Sequence, residues 1–439
     1  MTGDILARLQ AAQSDAEREW VVMEFSLANL EPALRAAVWA AAIPHWFDAP
    51  FLAALLDQPL AAAQPIYDRL TTLSYVEPFP GRGHNVHERT RALLLERLWR
   101  DDRERYLALS RRAAEYCAQQ DQEETAWRVE TIYHQLIGDM PRAASKFIDQ
   151  GIDWHNRFEY EKLEALLRPV MEAIEAGRLS GSVASWAYYR QARLDIVYSR
   201  NHQAKNALLE TLNTGVADRA LEANCIQALG DVSLEEGDEA AALAAYRGAF
   251  ERYMALGLPN AAANAITAQA TVYNRRKEYL LSLPLYSQAV ELASDDPMWY
   301  RNRALCYINL KDAEHALADL ETAARLQPDH PYLHARRGDV ALLQGDFTAA
   351  AGHYAAFVEV LPRNPVGHFG LARALFGQRR VDEALASLRR SLELTYSRQE
   401  VIDRLDELTE MQADHPDLPG IEQGVTLLRE RLASGRRTP

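Results

Sequence analysis

The sequence predicts an all-α protein, in which an α-solenoid of stacked helical hairpins follows a small domain with one β-hairpin. The first observation is a period of 34 residues that relates residues 297–328, 331–362 and 365–396. The second is that residues 31–118 do not follow this period. The third is the composition of the 439 residues, 48% apolar and 25% charged, which is typical of a folded chain with several domains.

The three repeated segments carry the same class of residue at matching positions. A small residue is expected where two helices cross, a second small residue follows, and a bulky residue comes one helical turn later. In the order of the segments, these positions hold Ala304, Gly338 and Ala372, then Ala316, Ala350 and Ala384, then Leu320, Tyr354 and Leu388. Because one hairpin cannot bury its own apolar stripe, the sequence predicts that neighbouring hairpins stack.

This pattern is similar to the tetratricopeptide repeat (TPR), a helix–turn–helix unit of 34 residues. The resemblance implies a superhelix whose first helices line a concave groove, and it implies a protein-binding scaffold. Some members of the family hold a carboxylate at a chain end with lysine and asparagine residues. In this chain Leu305, four residues after Arg301, occupies the position where those members have asparagine. We therefore do not predict an adaptor that binds the C-terminal tails of chaperones.

The repeat continues towards the N-terminus with lower fidelity, over residues 223–254 and 263–294. The step between Ala242 and Ser282 is six residues too long, which predicts a longer second helix in that hairpin. The predicted organisation is a helical segment (1–30), the domain with the β-hairpin (31–118), divergent TPR-like hairpins (119–222), TPR repeats (223–397) and C-terminal capping helices (398–434).

Residues 31–118 read as a winged-helix pattern. We expect helices over 32–42, 49–56 and 61–73, then the strands SYVEPF and GHNVHE on either side of a Pro-Gly-Arg-Gly turn, and a fourth helix from about Thr90. The order resembles the winged-helix domain of STAND/NB-ARC-type signalling ATPases. Val86, His87 and Glu88 stand where that family has a Met-His-Asp-type motif, whose histidine contacts the phosphate of a bound nucleotide.

The sequence departs from the ATPases in one respect. It contains no GxxxxGK[ST] phosphate loop, and residues 1–30 leave no room for a nucleotide-binding domain. The resemblance therefore implies a sensor half that lacks the ATPase domain and either functions alone or acts in trans. Without a nucleotide in the same chain, we interpret His87 as a residue packed at the junction between strand and helix.

Charge and motifs exclude several other classes. The net charge of -14 disfavours general affinity for nucleic acid and for anionic membranes. The β-hairpin offers only Arg82, His84 and His87 to DNA. No catalytic or metal-binding signature occurs, so we predict no enzyme activity, no cofactor and no metal. No apolar run reaches the ~18 residues of a membrane span, no signal peptide is present, and the three cysteines suit buried thiols in the cytoplasm.

The candidate binding residues come from the resemblance to TPR proteins, in which the first helix of each hairpin contacts the ligand. Carrying the inward positions over to this chain gives Asn274, Arg275, Arg301, Asn309, Arg336, Asp339 and Arg373, preceded by Gln227, Asp231, Glu235 and Thr267. The C-terminal part of this set is rich in arginine, whose planar guanidinium binds carboxylates. We therefore expect a protein or peptide partner with some acidic character.

Three hypotheses follow from these observations. The leading one is a non-enzymatic protein-interaction scaffold that binds a partner segment in the groove of its solenoid. The second is a regulatory or sensor subunit that acts in trans with a STAND-type ATPase. The third, which the charge distribution disfavours, is a winged-helix regulator that binds DNA.

Overall fold

The computed structural model describes residues 2–213 and 218–434. Within these residues the protein consists of twenty-four α-helices and one two-stranded antiparallel sheet, so the all-α prediction is confirmed. The chain forms two compact units. Unit 1 comprises Met1–Ile152 and Glu161–Ala184, and unit 2 comprises Asp153–Tyr160 and Ser185–Pro439. No described helix is long and apolar enough to cross a membrane.

The first part of the chain carries ten helices and both strands. In order they are α1 (Thr2–Ala11), α2 (Asp15–Ala28), α3 (Pro32–Ala41), α4 (Ala49–Leu56), α5 (Leu60–Leu70), β1 (Val76–Phe79), β2 (Gly83–Val86), α6 (Glu88–Asp101), α7 (Arg103–Ala118), α8 (Thr125–Gly138), α9 (Met140–Asn156) and α10 (Tyr160–Glu175). The helices and strands predicted between residues 32 and 90 are confirmed to within about three residues at each end, which is the usual precision of helix limits.

The β-hairpin of unit 1 is fixed by close contact with the segment before α4. Val76 pairs with Val86 and Phe79 with Gly83. The N–H of His84 donates to the carbonyl of Phe47 at 2.9 Å, and the N–H of Phe47 donates to the carbonyl of His84 at 2.7 Å. Gly83 has φ of +92°, and a Cβ there would lie 2.5 Å from the carbonyl oxygen of Phe47, so the position requires glycine.

The rest of the chain is entirely helical where it is described. The helices are α11 (Ser182–Val197), α12 (Asn201–Asn213), α13 (Arg219–Glu235), α14 (Glu239–Ala255), α15 (Pro259–Arg275), α16 (Tyr279–Leu292), α17 (Pro297–Asn309), α18 (Ala313–Leu326), α19 (Pro331–Leu343), α20 (Phe347–Val360), α21 (Pro365–Gly377), α22 (Val381–Glu393), α23 (Arg398–Asp414) and α24 (Ile421–Ala433). From α11 to α22 they form six hairpins. The repeats predicted from residues 297, 331 and 365 begin at the first residues of α17, α19 and α21, whereas those predicted from residues 223 and 263 begin four residues inside α13 and α15.

Each of these hairpins turns at a residue with positive φ. This position holds Ser199, Gly237, Lys277, Lys311, Gly345 and Arg379 in successive hairpins. At Lys277 the hydrogen bonds are those of a Schellman motif. The N–H of Lys277 donates to the carbonyl oxygen of Asn274, and the N–H of Glu278 donates to the carbonyl oxygen of Tyr273, both at 2.9 Å. The left-handed residue ends the first helix and reverses the chain into the second.

The predicted helix crossings form the core of unit 2. Ala304, Ala316 and Leu320 are all fully buried, and Tyr354 is 1% exposed. The extra six residues before Ser282 lengthen two helices, since α14 and α15 both have 17 residues, whereas α18 and α19 have 14 and 13. The expected longer second helix is therefore present, and the first helix of the following hairpin is longer as well.

Helices α23 and α24 cover the apolar face of the last hairpin. Val401, Leu408 and Met411 of α23 belong to one buried cluster with Val425 of α24 and Phe376 of α21. This packing supplies the buried surface that the terminal repeat of a solenoid needs.

Candidate protein-binding face

The candidate binding residues lie on the helices that begin each hairpin. We call the surface formed by α11, α13, α15, α17, α19 and α21 the first-helix face. The residues predicted from the sequence are distributed over four of these helices: Asn274 and Arg275 on α15, Arg301 and Asn309 on α17, Arg336 and Asp339 on α19, and Arg373 on α21. All are half-buried except Arg301, which is 7% exposed.

A cavity of about 480 Å³ opens on this face between α11, α13 and α15. Five of the residues named from the sequence line it: Gln227, Asp231, Glu235, Thr267 and Arg275. The remaining polar lining includes Tyr189, Arg193, Asn224 and Asn264, which the sequence analysis missed. Asn224 and Asn264 each lie three residues before a predicted position, so extending the inward stripe by one helical turn would have found them.

Neutral hydrogen-bonding side chains occupy the middle of the cavity. Nε2 of Gln227 donates to Oδ1 of Asn264 at 3.3 Å, which joins α13 to α15. The hydroxyl of Tyr253 donates to Oδ1 of Asn224 at 2.6 Å. Oγ1 of Thr267 is buried and has no hydrogen-bond partner among the described residues. The cavity therefore offers amide donors and acceptors from two adjacent helices.

The charged side chains of the cavity neutralise one another. Arg193 forms an ion pair with Asp231, and Nη2 of Arg275 lies 3.0 Å from Oε1 of Glu235. The hydroxyl of Tyr246 also donates to Asp231, at 2.9 Å. Burial, together with the Asp231 carboxylate, raises the pKa of Tyr246, so this hydroxyl keeps its proton.

The other predicted arginines differ in their partners. Nη1 of Arg336 lies 2.9 Å from Oδ2 of Asp339 within α19, and Nη1 of Arg373 lies 2.6 Å from Oε2 of Glu407 in α23. Nη2 of Arg301 is 3.4 Å from Nε2 of His330. Burial lowers the pKa of Arg301 to about 10, and burial together with Arg301 lowers the pKa of His330 to about 4. The guanidinium of Arg301 thus faces a neutral ring.

The two predicted asparagines lie close to the hairpin turns. Nδ2 of Asn274 donates to the hydroxyl of Tyr286 at 3.1 Å, and its Oδ1 accepts from Ser282 at 2.8 Å. Asn274 therefore joins α15 to α16 within one hairpin. Asn309 is the half-buried last residue of α17, two residues before the turn at Lys311.

The motif of the β-hairpin lies in unit 1. Val86 is 2% exposed, whereas His87 and Glu88 are exposed at the start of α6. The interpretation of His87 as a packed residue is therefore wrong. Because alternate residues of a strand point to opposite sides, burying Val86 at the end of β2 turns the next side chain outwards. The N–H of His87 donates to the carbonyl of Tyr75 at 2.8 Å.

The remaining polar groups of the hairpin contact unit 1 itself. The guanidinium of Arg82 lies 4.8 Å from the ring centre of Trp46 and 5.8 Å from that of Trp127, and it pairs with Glu124. Nδ1 of His84 is 2.7 Å from the hydroxyl of Tyr67. These contacts hold the hairpin against helices of its own unit.

Over residues 2–213 and 218–434, no group of three or more His, Cys, Asp or Glu side chains is placed to hold a metal ion. Cys117, Cys225 and Cys306 are buried free thiols, as the sequence predicts, and burial raises the pKa of each. Raised thiol pKa values disfavour the reactive thiolate form.

Comparison with known proteins identifies the repeats. The tetratricopeptide repeat family matches residues 267–331, 311–365 and 335–395. Human serine/threonine-protein phosphatase 5 is 31% identical over 102 residues, which are 23% of this chain and 20% of the phosphatase. Small glutamine-rich tetratricopeptide repeat-containing protein 2 of Mycosarcoma maydis is 28% identical over 112 residues, which are 26% of this chain and 32% of that protein.

A solved structure is similar over most of the chain. It is that of a Signal Transduction ATPase with Numerous Domains (STAND) protein with a tetratricopeptide repeat sensor from Pyrococcus horikoshii. The similarity has 10% sequence identity and a TM-score of 0.48, and it covers 98% of this chain and 64% of the other.

The matched relatives share only part of their length with this chain, about a fifth of the phosphatase and a third of the fungal protein. What is common to them is the repeat region. Residues 267–395 are tetratricopeptide repeats, and the repeats together with the relatives that carry them support a protein–protein interaction scaffold.

Proposed function

We propose that the protein is a non-enzymatic cytoplasmic scaffold that binds a segment of a partner protein on the first-helix face of unit 2. The cavity between α11, α13 and α15 carries this proposal. Its volume of about 480 Å³ lies within the range of about 300–1,000 Å³ that is typical of ligand sites. The buried free cysteines support the cytoplasmic location.

The chemistry of the cavity suits the backbone of an extended peptide. A peptide presents one N–H and one C=O per residue, and Asn224, Gln227 and Asn264 offer both donors and acceptors. The hydrogen bond between Gln227 and Asn264 is 3.3 Å long, so exchanging it for two bonds to a peptide costs little. Main-chain hydrogen bonds of this kind supply affinity, and neighbouring pockets supply specificity.

An acidic contribution from the partner is part of the same proposal. Arg301 is buried and meets only the neutral ring of His330 among its described hydrogen-bond partners. Burial lowers the pKa of Arg301, the nearby carboxylate of Asp296 raises it, and Arg336 lowers it further. A carboxylate placed between these two cations would relieve both the burial of charge and the repulsion.

Affinity capture from native extract, followed by mass spectrometry, tests the proposal. The cavity variant is Gln227→Ala/Asn264→Ala. Its matched control is Asn206→Ala/Gln288→Ala, which removes one exposed asparagine and one exposed glutamine from the second helices α12 and α16. We expect wild type and control to retain a partner that the cavity variant loses. Equal retention by the cavity variant would refute this site, provided that its circular dichroism and unfolding midpoint match those of the control.

A second candidate function rests on the exposure of His87 and Glu88 in unit 1. We propose that residues 31–118 form a winged-helix domain. In this second function, the domain binds a separate STAND-type ATPase and completes its nucleotide switch. An exposed histidine at the start of α6 is accessible to a phosphate held by another chain. In the test, a nucleotide-bound ATPase co-purifies with wild type and is released by His87→Ala. Release by Arg89→Ala, an exposed neighbour, to the same extent would count against a specific role for the histidine.

A further inference from the structure

Helix α23 runs alongside the turns of several hairpins. The hydroxyl of Ser397, just before the helix, donates to Oε2 of Glu235 at the end of α13, 3.3 Å away. Further along, Asp406 lies 3.9 Å from Nζ of Lys277, in the turn after α15. Glu410 and Asp414 lie 3.8 and 3.9 Å from Nζ of Lys311, in the turn after α17. The helix therefore extends past the C-terminal ends of three successive first helices.

The two long sides of α23 have different chemistry. Val401, Arg404, Leu408 and Met411 recur at helical spacing and are at most 8% exposed. The other side carries Asp403, Asp406, Glu407, Glu410 and Asp414, also at helical spacing. An amphipathic helix with an acidic stripe is the kind of segment that helix-binding grooves accept.

The turns that follow the first helices supply cations opposite this acidic stripe, and α21 of the first-helix face supplies another. The chain has only five lysines, and two of them, Lys277 and Lys311, lie within 4.0 Å of α23 carboxylates. Both occupy the left-handed turn position that Gly237 and Gly345 hold in other hairpins. Lysine is less favourable than glycine at this position, because its Cβ disfavours a backbone with positive φ. Arg373 adds its contact with Glu407, at 2.6 Å.

The fit between helix and face is incomplete. Partial burial raises the pKa of Glu400, Asp403 and Glu407, and acidic neighbours on the face add to the effect, while nearby arginines oppose it. These neighbours are Glu235, which faces Glu400 and Asp403, and Asp339, which faces Glu407. The ion pairs of Lys277 and Lys311 are long and their side chains are more than half exposed, so each contributes little by itself.

We propose that α23 is an internal ligand of the first-helix face, and that the acidic amphipathic helix of a partner protein binds the same surface by displacing it. The inference rests on the proposed function and specifies the chemistry of one class of partner. Such a helix carries carboxylates at the spacing of Asp406, Glu410 and Asp414 beside an apolar stripe like that of Val401, Leu408 and Met411. The cavity between α11, α13 and α15 borders the segment that α23 covers, because Glu235 lines the cavity and accepts the hydrogen bond from Ser397.

The test weakens the acidic contacts of α23 in the full chain. The variant is Asp406→Lys/Glu410→Lys/Asp414→Lys, which leaves the buried side of the helix intact because these side chains are 57–58% exposed. The control is Glu251→Lys/Glu321→Lys/Glu359→Lys, an equal change of charge at exposed positions of α14, α18 and α20. The probe is a fluorescent peptide with the sequence of residues 397–417.

We expect the probe to bind the α23 variant about tenfold more tightly than it binds wild type or control, measured by fluorescence anisotropy. Three surface ion pairs turned into repulsions account for a change of this size, since tenfold corresponds to about 1.4 kcal/mol. A probe carrying the same three lysine substitutions should bind none of the proteins. Hydrogen exchange should quicken over residues 398–414 in the variant and stay unchanged over residues 259–393.

Two results would overturn the inference. One is equal binding of the probe to the α23 variant and the control. The other is that, in wild type, the backbone amides of α23 exchange their hydrogens only at the same rate as those of the helices on which α23 packs. That result would make α23 a fixed part of the solenoid. A negative result for the displacement of α23 does not refute the proposed function. The Gln227→Ala/Asn264→Ala variant tests the cavity by itself, because it leaves α23 unchanged. Loss of the captured partner in that variant alone would keep the cavity as the site and remove α23 from its regulation.

Discussion

Nδ1 of His45 lies 2.6 Å from Oε1 of Glu130, which ties the segment between α3 and α4 to the middle of α8 in unit 1. Glu130 is 4% exposed, and its second carboxylate oxygen lies 3.1 Å from Nε2 of the fully buried His134. Although burial opposes the charge, the two histidines hold the pKa of Glu130 well below its usual value. A buried carboxylate thus organises polar groups from two parts of the chain.

Replacing Glu130 should destabilise unit 1. Glu130→Ala leaves ring nitrogens of His45 and His134 without an acceptor in a buried site, so we expect the free energy of unfolding to fall by about 1–3 kcal/mol. Urea unfolding followed by tryptophan fluorescence measures the change. Glu115→Ala, which removes an exposed glutamate from α7, serves as the control and should shift the midpoint little. Equal shifts in the two variants would contradict a structural role for Glu130.

The same cluster predicts loss of stability in acid. Burial lowers the pKa of His134 from 6.5. Just below pH 6.5 the ring of His134 is therefore protonated in the unfolded chain and stays neutral in the folded chain. Stability must then fall as the pH decreases from about 6.5. Glu130 acts in the same direction, since its lowered pKa adds stability that is lost as the pH falls below its usual 4.5.

Unfolding midpoints between pH 7.5 and pH 5 measure this dependence. His134→Gln removes the titrating ring, so its midpoint should vary less with pH than that of wild type, whatever its absolute stability. His202→Gln, at an exposed site in α12, should keep the slope of wild type. A wild-type slope in His134→Gln would assign the acid sensitivity to other groups.

The repeats could be predicted from the sequence because their constraints are local. Proline begins α17, α19 and α21 at the same position of each repeat, and the small residues Ala304, Gly338 and Ala372 mark the crossings. Each hairpin packs mainly on its chain neighbours, so a period of 34 residues fixes both the helices and their order. The β-hairpin followed from its turn residues for the same reason.

The partners of the candidate site could not be predicted in this way. Arg336 and Asp339 are three residues apart on one helix, so their ion pair is readable from the sequence. Arg275 pairs with Glu235 from the preceding repeat, and Lys311 meets Glu410 from far along the chain. Those contacts depend on how the hairpins curve, which small differences in packing decide. The sequence therefore indicates where α23 forms and gives no sign of which turns it contacts.

The crossing at Gly338 should not tolerate a side chain. A Cβ there would lie 2.8 Å from Cε2 of Tyr354, whose ring is 1% exposed and fixed by the hydrogen bond from its hydroxyl to Asp339. Gly338→Ala should therefore lower the free energy of unfolding by about 1–3 kcal/mol. Gly352→Ala is the matched control, because a Cβ there meets nothing within 4 Å and alanine favours the helix by about 0.5–1 kcal/mol. If both substitutions stabilised the protein, Tyr354 would have to move freely.

The ion pair between Arg303 and Asp319 should contribute more to stability than the surface pairs of the same unit. Nε and Nη2 of Arg303 each lie 2.8 Å from a different oxygen of Asp319, which is 6% exposed. Asp319→Ala leaves the guanidinium of α17 without its acceptor on α18, at a cost of about 1.5–3 kcal/mol. Glu383→Ala removes an equally bidentate partner of Arg380, but both of those side chains are exposed, and water replaces the contact.

Urea unfolding at 0.05 and 0.5 M NaCl distinguishes the buried ion pair from the exposed one, since salt screens exposed charges and leaves a buried pair largely intact. A loss for Asp319→Ala that disappears at high salt would mean that the pair acts as a surface contact, and the alignment of α17 on α18 would then rest on apolar packing at Ala304 and Leu320.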